Sequence, residues 1–242
     1  MRDYCENNGK YMSKVKFGYN LDEDALSWVL IAKSKDFWGM NLRKATAHIS
    51  DELLEKIKKV AFSRAHKIVK EYIEKDPNEK YKKQVMNFEM QALEKSWRIV
   101  EKKYFKTLSE ITQKPIFQDK FNCYFTTGLM CPYNEKENWF MVSMWSSIPT
   151  SITTICHEIM HLQFLKYYRK YLRKQGLKNE QIEVLKESLT FLLNEPEFDG
   201  IILSEDRGYP EHIKFRKKLK NIWAKNKDFK NLIDEAVLII KK

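Results

Sequence analysis

The chain has 242 residues, 43% of them hydrophobic, with 14 Phe, 12 Tyr and 6 Trp, which is enough to bury a substantial core and excludes a disordered chain. A net charge of +11 suits a polyanion partner only where the cations cluster, and here lysines are spread along nearly every expected helix with Glu interleaved, so no nucleic-acid partner is expected. No run approaches the roughly 18 to 20 continuous apolar residues of a membrane span, which excludes a membrane partner and predicts a soluble protein.

The four cysteines, Cys5, Cys123, Cys131 and Cys156, form no CxxC pair, and the stretch from Met1 to Tyr4 lacks a signal-like apolar run. A reducing, cytoplasmic setting is therefore expected. Within residues 1–49, 15–19 read as a short strand and 26–32 as a helix. From Ser50, an N-cap residue, apolar positions recur with helical spacing at Leu53, Leu54, Ile57, Val60, Ala61, Ile68, Val69 and Tyr72, until Asp76-Pro77 stops the run. A second stripe, from Tyr81 through Trp97 and Tyr104 to Ile111, predicts a helix of roughly 50 Å at 1.5 Å per residue. The tight connection between them predicts an antiparallel helical hairpin over about 50–114. That hairpin closes a mainly helical N-terminal region, 1–115, expected to form one compact unit with 116–242.

Residues 121–126 and 139–145 are short, aromatic and β-compatible, with Gly128, Pro132 and Asn134 between them. They predict two antiparallel strands. After Ser146-Ser147-Ile148-Pro149 a long helix runs to about 174, before Gly176. Another spans about 179–193 and is closed by Pro196, and two more follow at about 210–224 and 228–240. The predicted class is α+β and predominantly helical, with a small antiparallel sheet.

The long central helix carries His157-Glu158-Ile159-Met160-His161. Two histidines four apart project from one helical face, one turn apart, and can share an ion, while the intervening Glu stands near that ion without having to ligate it. A chance match in a chain with five His has a probability on the order of one in a hundred, so the helical context matters. At 100° per residue, Ile152, Ile155, Cys156, Ile159, Met160 and Leu162 fall on one side; Thr150, Thr154, His157 and His161 fall on another. Core histidines would share the apolar stripe, and these do not. Zn2+ held by His157 and His161, with Glu158 as general base, is the chemistry this pattern suits.

On these residues the chain resembles the His-Glu-x-x-His metallopeptidases called zincins. Phe164 and Tyr167 stand where the metzincin branch has its glycine and third histidine, which excludes that branch. The gluzincin branch takes its third ligand from a glutamate on the following helix, and Glu187, in Lys186-Glu187-Ser188-Leu189-Thr190, resembles that element. Glu183 and Glu195 remain alternatives. Phe191 occupies the place where gluzincins often carry an Asp that supports a histidine. Simple antiparallel geometry also gives about 20 Å out from His161 but only about 12 Å back to Glu187, so the first helix must end early or the two must cross obliquely.

The resemblance covers roughly residues 138–194. It implies a zinc-dependent peptidase acting on a peptide or protein substrate, in which Glu158 takes a proton from a zinc-activated water and returns it to the leaving amine. It also assigns substrate pairing to the strand bearing Trp139, Met141 and Ser143. Tyr209 and His212 are candidates for stabilising the oxyanion. Three other readings stay open: a peptide deformylase with Cys131 or Cys123 as third ligand, a non-enzymatic zinc-containing binding protein, and a basic helical protein that binds nucleic acid, which a salt-dependent binding assay would reveal.

Overall fold

The computed structural model describes residues 13–34, 46 and 48–241; Cys5 and the segment from Met1 to Tyr4 lie outside them. Strand β1 (Lys14–Tyr19) leads into helix α1 (Leu21–Lys33), capped by Asn20, whose side chain accepts from the Asp22 amide. Helices α2 (Asp51–Lys59) and α3 (Phe62–Glu74) follow, then the long α4 (Glu79–Thr112). The chain continues through β2 (Lys120–Thr126), β3 (Tyr133–Asn134), β4 (Trp139–Ser143), α5 (Ile148–Lys174) and α6 (Asn179–Leu189). Three short 3₁₀ segments (Thr190–Asn194, Pro196–Phe198 and Pro210–His212) precede α7 (Ile213–Asn226) and α8 (Phe229–Ile240). The expected α+β, mostly helical class is what the described residues form.

Ser50 caps α2 as expected, its hydroxyl accepting from the Leu53 amide at 3.3 Å. The single helix expected beyond it is two, however, because Val60 and Ala61 are extended. Breaking a helix leaves carbonyls without partners. Lys33 of α1 supplies them, donating to the Val60 carbonyl at 2.6 Å and the Lys58 carbonyl at 3.5 Å. The break lets Leu53, Leu54 and Ile57 of α2 and Ala65, Ile68 and Val69 of α3 bury in one cluster with Trp28, Val29 and Ile31 of α1.

The two helices expected to form a hairpin bury their apolar stripes in different places. Although α3 and α4 are consecutive, α3 buries its stripe against α1 and α2, whereas α4 sends Leu93, Trp97, Tyr104, Phe105 and Leu108 into the larger core with the sheet and α5. The two helices serve different cores.

The sheet has the order β1-β2-β4-β3. Strands β2 and β4 pair in parallel, with Asn122 opposite Trp139 and Thr126 opposite Ser143, which overturns the antiparallel expectation. The tight turn belongs instead to β3 and β4, which pair antiparallel. Asn134 accepts there from the amides of Lys136 and Glu137, and Asn138 is left-handed at φ 54°. Parallel strands normally need a long crossover; here the loop after β2 travels the length of the sheet before β3 turns back into β4.

Helix α5 runs beneath this sheet. Its Ile152, Ile155, Cys156 and Ile159 pack with Phe121, Cys123, Phe140 and Val142, while Leu219 and Trp223 of α7 and Phe229 and Leu232 of α8 close the same core. Polar bonds fix its position. The buried Tyr104 hydroxyl donates to the Cys156 carbonyl at 2.6 Å, and Gln163 accepts from the Phe117 amide and donates to the Pro115 carbonyl. Among the described residues, no helix is long and apolar enough to cross a membrane.

Candidate metal centre

Helix α5 starts at the Ser147 cap, with Pro149 in its first turn, where a proline costs no hydrogen bond. It continues unbroken to Lys174, and Gly176, left-handed at φ 83°, turns the chain back into α6. Although α5 does not end early, α6 still brings Glu187 to the histidines. The imidazoles of His157 and His161 lie with ring centroids 4.1 Å apart. Glu187 Oε2 stands 3.4 Å from His157 Nε2 and 3.2 Å from His161 Nε2. These three residues each offer a donor atom within 4.8 Å of the others, the only such group of three among the described residues.

The two alternative glutamates are committed elsewhere. Glu183 bonds Lys186 at 2.7 Å, and Glu195 is buried beside Lys220 at 3.0 Å. Thr150 and Thr154 line a cleft with the histidines, and Cys156 is buried in the core, as the helical projection predicts.

Two groups invisible to the sequence reading orient the donors. Asp206, on the loop before the last 3₁₀ turn, accepts from His157 Nδ1 at 2.6 Å, directing Nε2 toward Glu187. Asp206 is itself fixed by the Thr190 hydroxyl at 2.9 Å, by Arg216 at 3.0 Å and by reciprocal bonds with the Asn194 side chain. Phe191 packs in the core and makes no contact of this kind. The second group is Lys186, only 3% exposed, which donates to Glu187 Oε1 at 3.0 Å.

Burial raises the Glu158 carboxyl to about 7; Glu187 and Asp206 add to the rise, while His157 and Lys186 oppose it. Its Oε2 is buried without a hydrogen-bond partner. Burial and the neighbouring His157 push His161 down to about 3, so it stays neutral and able to ligate. Burial also works against charge on His157, but Asp206 and Glu187 outweigh it and hold that ring well above the usual histidine value. Burial opposes ionisation of Glu187 too; His161, His157 and Lys186 overcome it and keep the carboxylate far below its ordinary range. The cluster therefore holds a stable anion facing one neutral imidazole and one that the anions keep protonated, so a divalent cation such as zinc would enter by displacing the His157 proton, and the two nitrogens with one carboxylate would then fit it.

The cleft, about 910 Å³, is walled on one side by Leu129 to Tyr133 and on the other by Ser204 to Pro210. Tyr209 lines it, and burial with the nearby Glu187 and Glu158 carboxylates keeps its hydroxyl protonated. His212 does not line the cleft; its ring packs edge-on against Tyr209 at 5.5 Å. The substrate-pairing strand requires correction. β4 is flanked by β2 and β3, the Met141 amide is taken by the Pro132 carbonyl, and Trp139 and Met141 are buried away from the cleft. Only Ser143 of that trio reaches the cleft, and its hydroxyl donates to the Gly128 carbonyl at 2.6 Å. Cys131 also lines the cleft, but burial and Glu158 push its thiol up to about 12, and it is not among the clustered donors; Cys123 is buried in β2. No protein-family model, no curated protein and no solved structure matches this chain.

Proposed function

We propose that the chain is a zinc-dependent hydrolase that cleaves peptide bonds, with His157, His161 and Glu187 as ligands and Glu158 as general base. The carrying observation is that Glu187 Oε2 faces both histidine Nε2 atoms at 3.2 and 3.4 Å, beside a buried glutamate that no hydrogen bond engages through Oε2. Two histidines and one carboxylate match an open catalytic zinc set better than a closed structural one, which has four protein ligands. A bound zinc supplies Lewis acidity, lowering the pKa of a water molecule and polarising the scissile carbonyl.

The chain's own residues do the rest. Glu158 Oε2 accepts the proton of the attacking water and delivers it to the leaving nitrogen, work suited to a carboxyl raised to about 7. Tyr209, kept protonated at the cleft wall, donates to the developing oxyanion. An extended substrate lies along the 129–133 wall, where the sheet ends at β3 and a backbone edge can pair with it. The absence of a cysteine donor from the cluster favours this reading over a deformylase.

The test is Glu158→Gln, which preserves size and removes the base. The variant should retain about one zinc per chain and lose peptide cleavage by about two to four orders of magnitude, read by mass spectrometry on a mixed peptide library. If zinc-loaded wild type cleaves nothing across broad libraries, the peptidase reading fails. Equal cleavage by both proteins removes Glu158 from its role.

A further inference from the structure

Resting on the zinc reading above, we propose that Lys186 is a positioning residue that keeps Glu187 a one-oxygen ligand, and so leaves a coordination place free for water and substrate. A lysine almost never buries fully unless it is paired, and Lys186 is 3% exposed. Its ammonium meets three oxygens: Glu183 Oε2 at 2.7 Å, Tyr133 Oη at 2.8 Å and Glu187 Oε1 at 3.0 Å. It also lies 4.6 Å from the centroid of the Tyr133 ring. Glu183, weighed as a ligand on sequence grounds, is therefore the lysine's anchor.

The consequence falls on the two oxygens of Glu187. Oε2 faces both histidine nitrogens, and Oε1 faces Lys186. A carboxylate can give one or both oxygens to an ion, and an ammonium bound to Oε1 removes the second option. The charges around the centre divide in the same sense. Arg216 pairs with Asp206 and Lys186 with Glu187, the two carboxylates that orient or ligate. Glu158, which must stay free to take a proton, has no cation within ion-pair distance among the described residues.

A purely structural lysine, tying α6 to β3 through Tyr133, would alter stability alone. Lys186→Met separates the two roles, because it removes the ammonium and leaves an apolar stem in a buried place. The protein is loaded with cobalt(II) in place of zinc, and its visible absorption reads the coordination number, with azide as an added probe of the free place. Lys186→Met should keep the metal, shift the cobalt bands toward higher coordination, weaken azide binding, and lower peptide cleavage by about 10- to 100-fold. Lys186→Arg, which can still donate to Oε1, should restore the wild-type spectrum.

An unchanged cobalt spectrum in folded Lys186→Met overturns the proposal, and so does outright loss of metal, which would mean that the lysine holds the ligand in place rather than limiting its oxygens. If Lys186→Met does not fold, Lys186→Leu, which also removes the ammonium but fills the space with a shorter apolar side chain, is read by the same bands; it should shift them in the same direction, and no shift overturns the idea. Wild type that binds neither zinc nor cobalt defeats the zinc reading itself, whereas metal-loaded wild type with indifferent variants defeats only the role of Lys186.

Discussion

The 2.6 Å bond from His157 to Asp206 fixes which ring nitrogen faces the donor cluster. A partner of this kind raises ligand basicity, and its loss typically costs about 10- to 100-fold in metal affinity or activity. Asp206→Asn keeps the shape and withdraws the charge that both His157 and Arg216 use. Zinc affinity should fall by about that factor in competition with a chromophoric chelator, and affinity equal to wild type would show that the bond does not tune the site. At this scale the sequence was informative where chemistry and helical period coincide: His157 and His161 lie one turn apart with Glu158 between them, and Glu187 follows on the next helix. Asp206 was not legible, because it reaches His157 from a loop 49 residues away, where no period constrains spacing. Lys186 was hidden for the opposite reason, as one lysine among many in a basic chain whose lysines are mostly solvated.

Between the donors and the last helices, the 204–210 loop depends on Gly208. Its φ of 62° is left-handed, and a Cβ there would stand 2.4 Å from Arg216 Nη1, the same guanidinium that bonds Asp206, Thr190 and the Glu187 carbonyl. Gly208→Ala should destabilise the protein by about 1 to 3 kcal/mol and lower zinc affinity through Asp206, read by chemical denaturation and chelator competition. Unchanged values in both measurements would show that the loop absorbs the added carbon freely. Helix positions and ends were largely readable, since caps such as Ser50, Ser147 and Asp228 and the Gly176 stop are local signals. Strand partnership was not. The turn residues at Asn134 to Asn138 do mark a hairpin, but its first strand is the two-residue β3, too short to show alternation, so the longer β2 took its place in the reading. The break at Val60 was equally silent, because its carbonyls are satisfied by Lys33 from a different helix.

Across the whole molecule, a metal held by α5 and α6 would join two helices of the larger core, and binding energy of that kind adds to folding stability. At a zinc concentration of about 100 times Kd the gain is about 2.7 kcal/mol, or roughly 5–10 °C in Tm for a chain of this size. Calorimetry should show that rise in wild type and none in the His157→Ala, His161→Ala double variant; an equal rise in both would place the zinc elsewhere. The α1 to α3 helices supply none of the three clustered donors, yet Leu129 and Met130 of the cleft wall pack against their core. The smaller core therefore shapes the cleft without contributing to the donor cluster. This division escaped the sequence reading because both cores draw on the same helical periodicity, and only long-range contacts separate them.

The parallel pairing of β1 with β2 also constrains how the chain is made. Residues 14–19 emerge from the ribosome about a hundred residues before their partners at 120–126. At about 5 to 20 residues per second, β1 waits roughly 5 to 20 seconds with its backbone edge unpaired. In the folded protein the other edge of β1 is covered by α4, where Glu101 accepts from the Val15 amide and Arg98 donates to the Val15 carbonyl. Both polar groups of Val15 are thereby withheld from a second chain at the edge of β1 that faces away from β2, so the strand that closes this side of the sheet offers a new partner no backbone pair at that position.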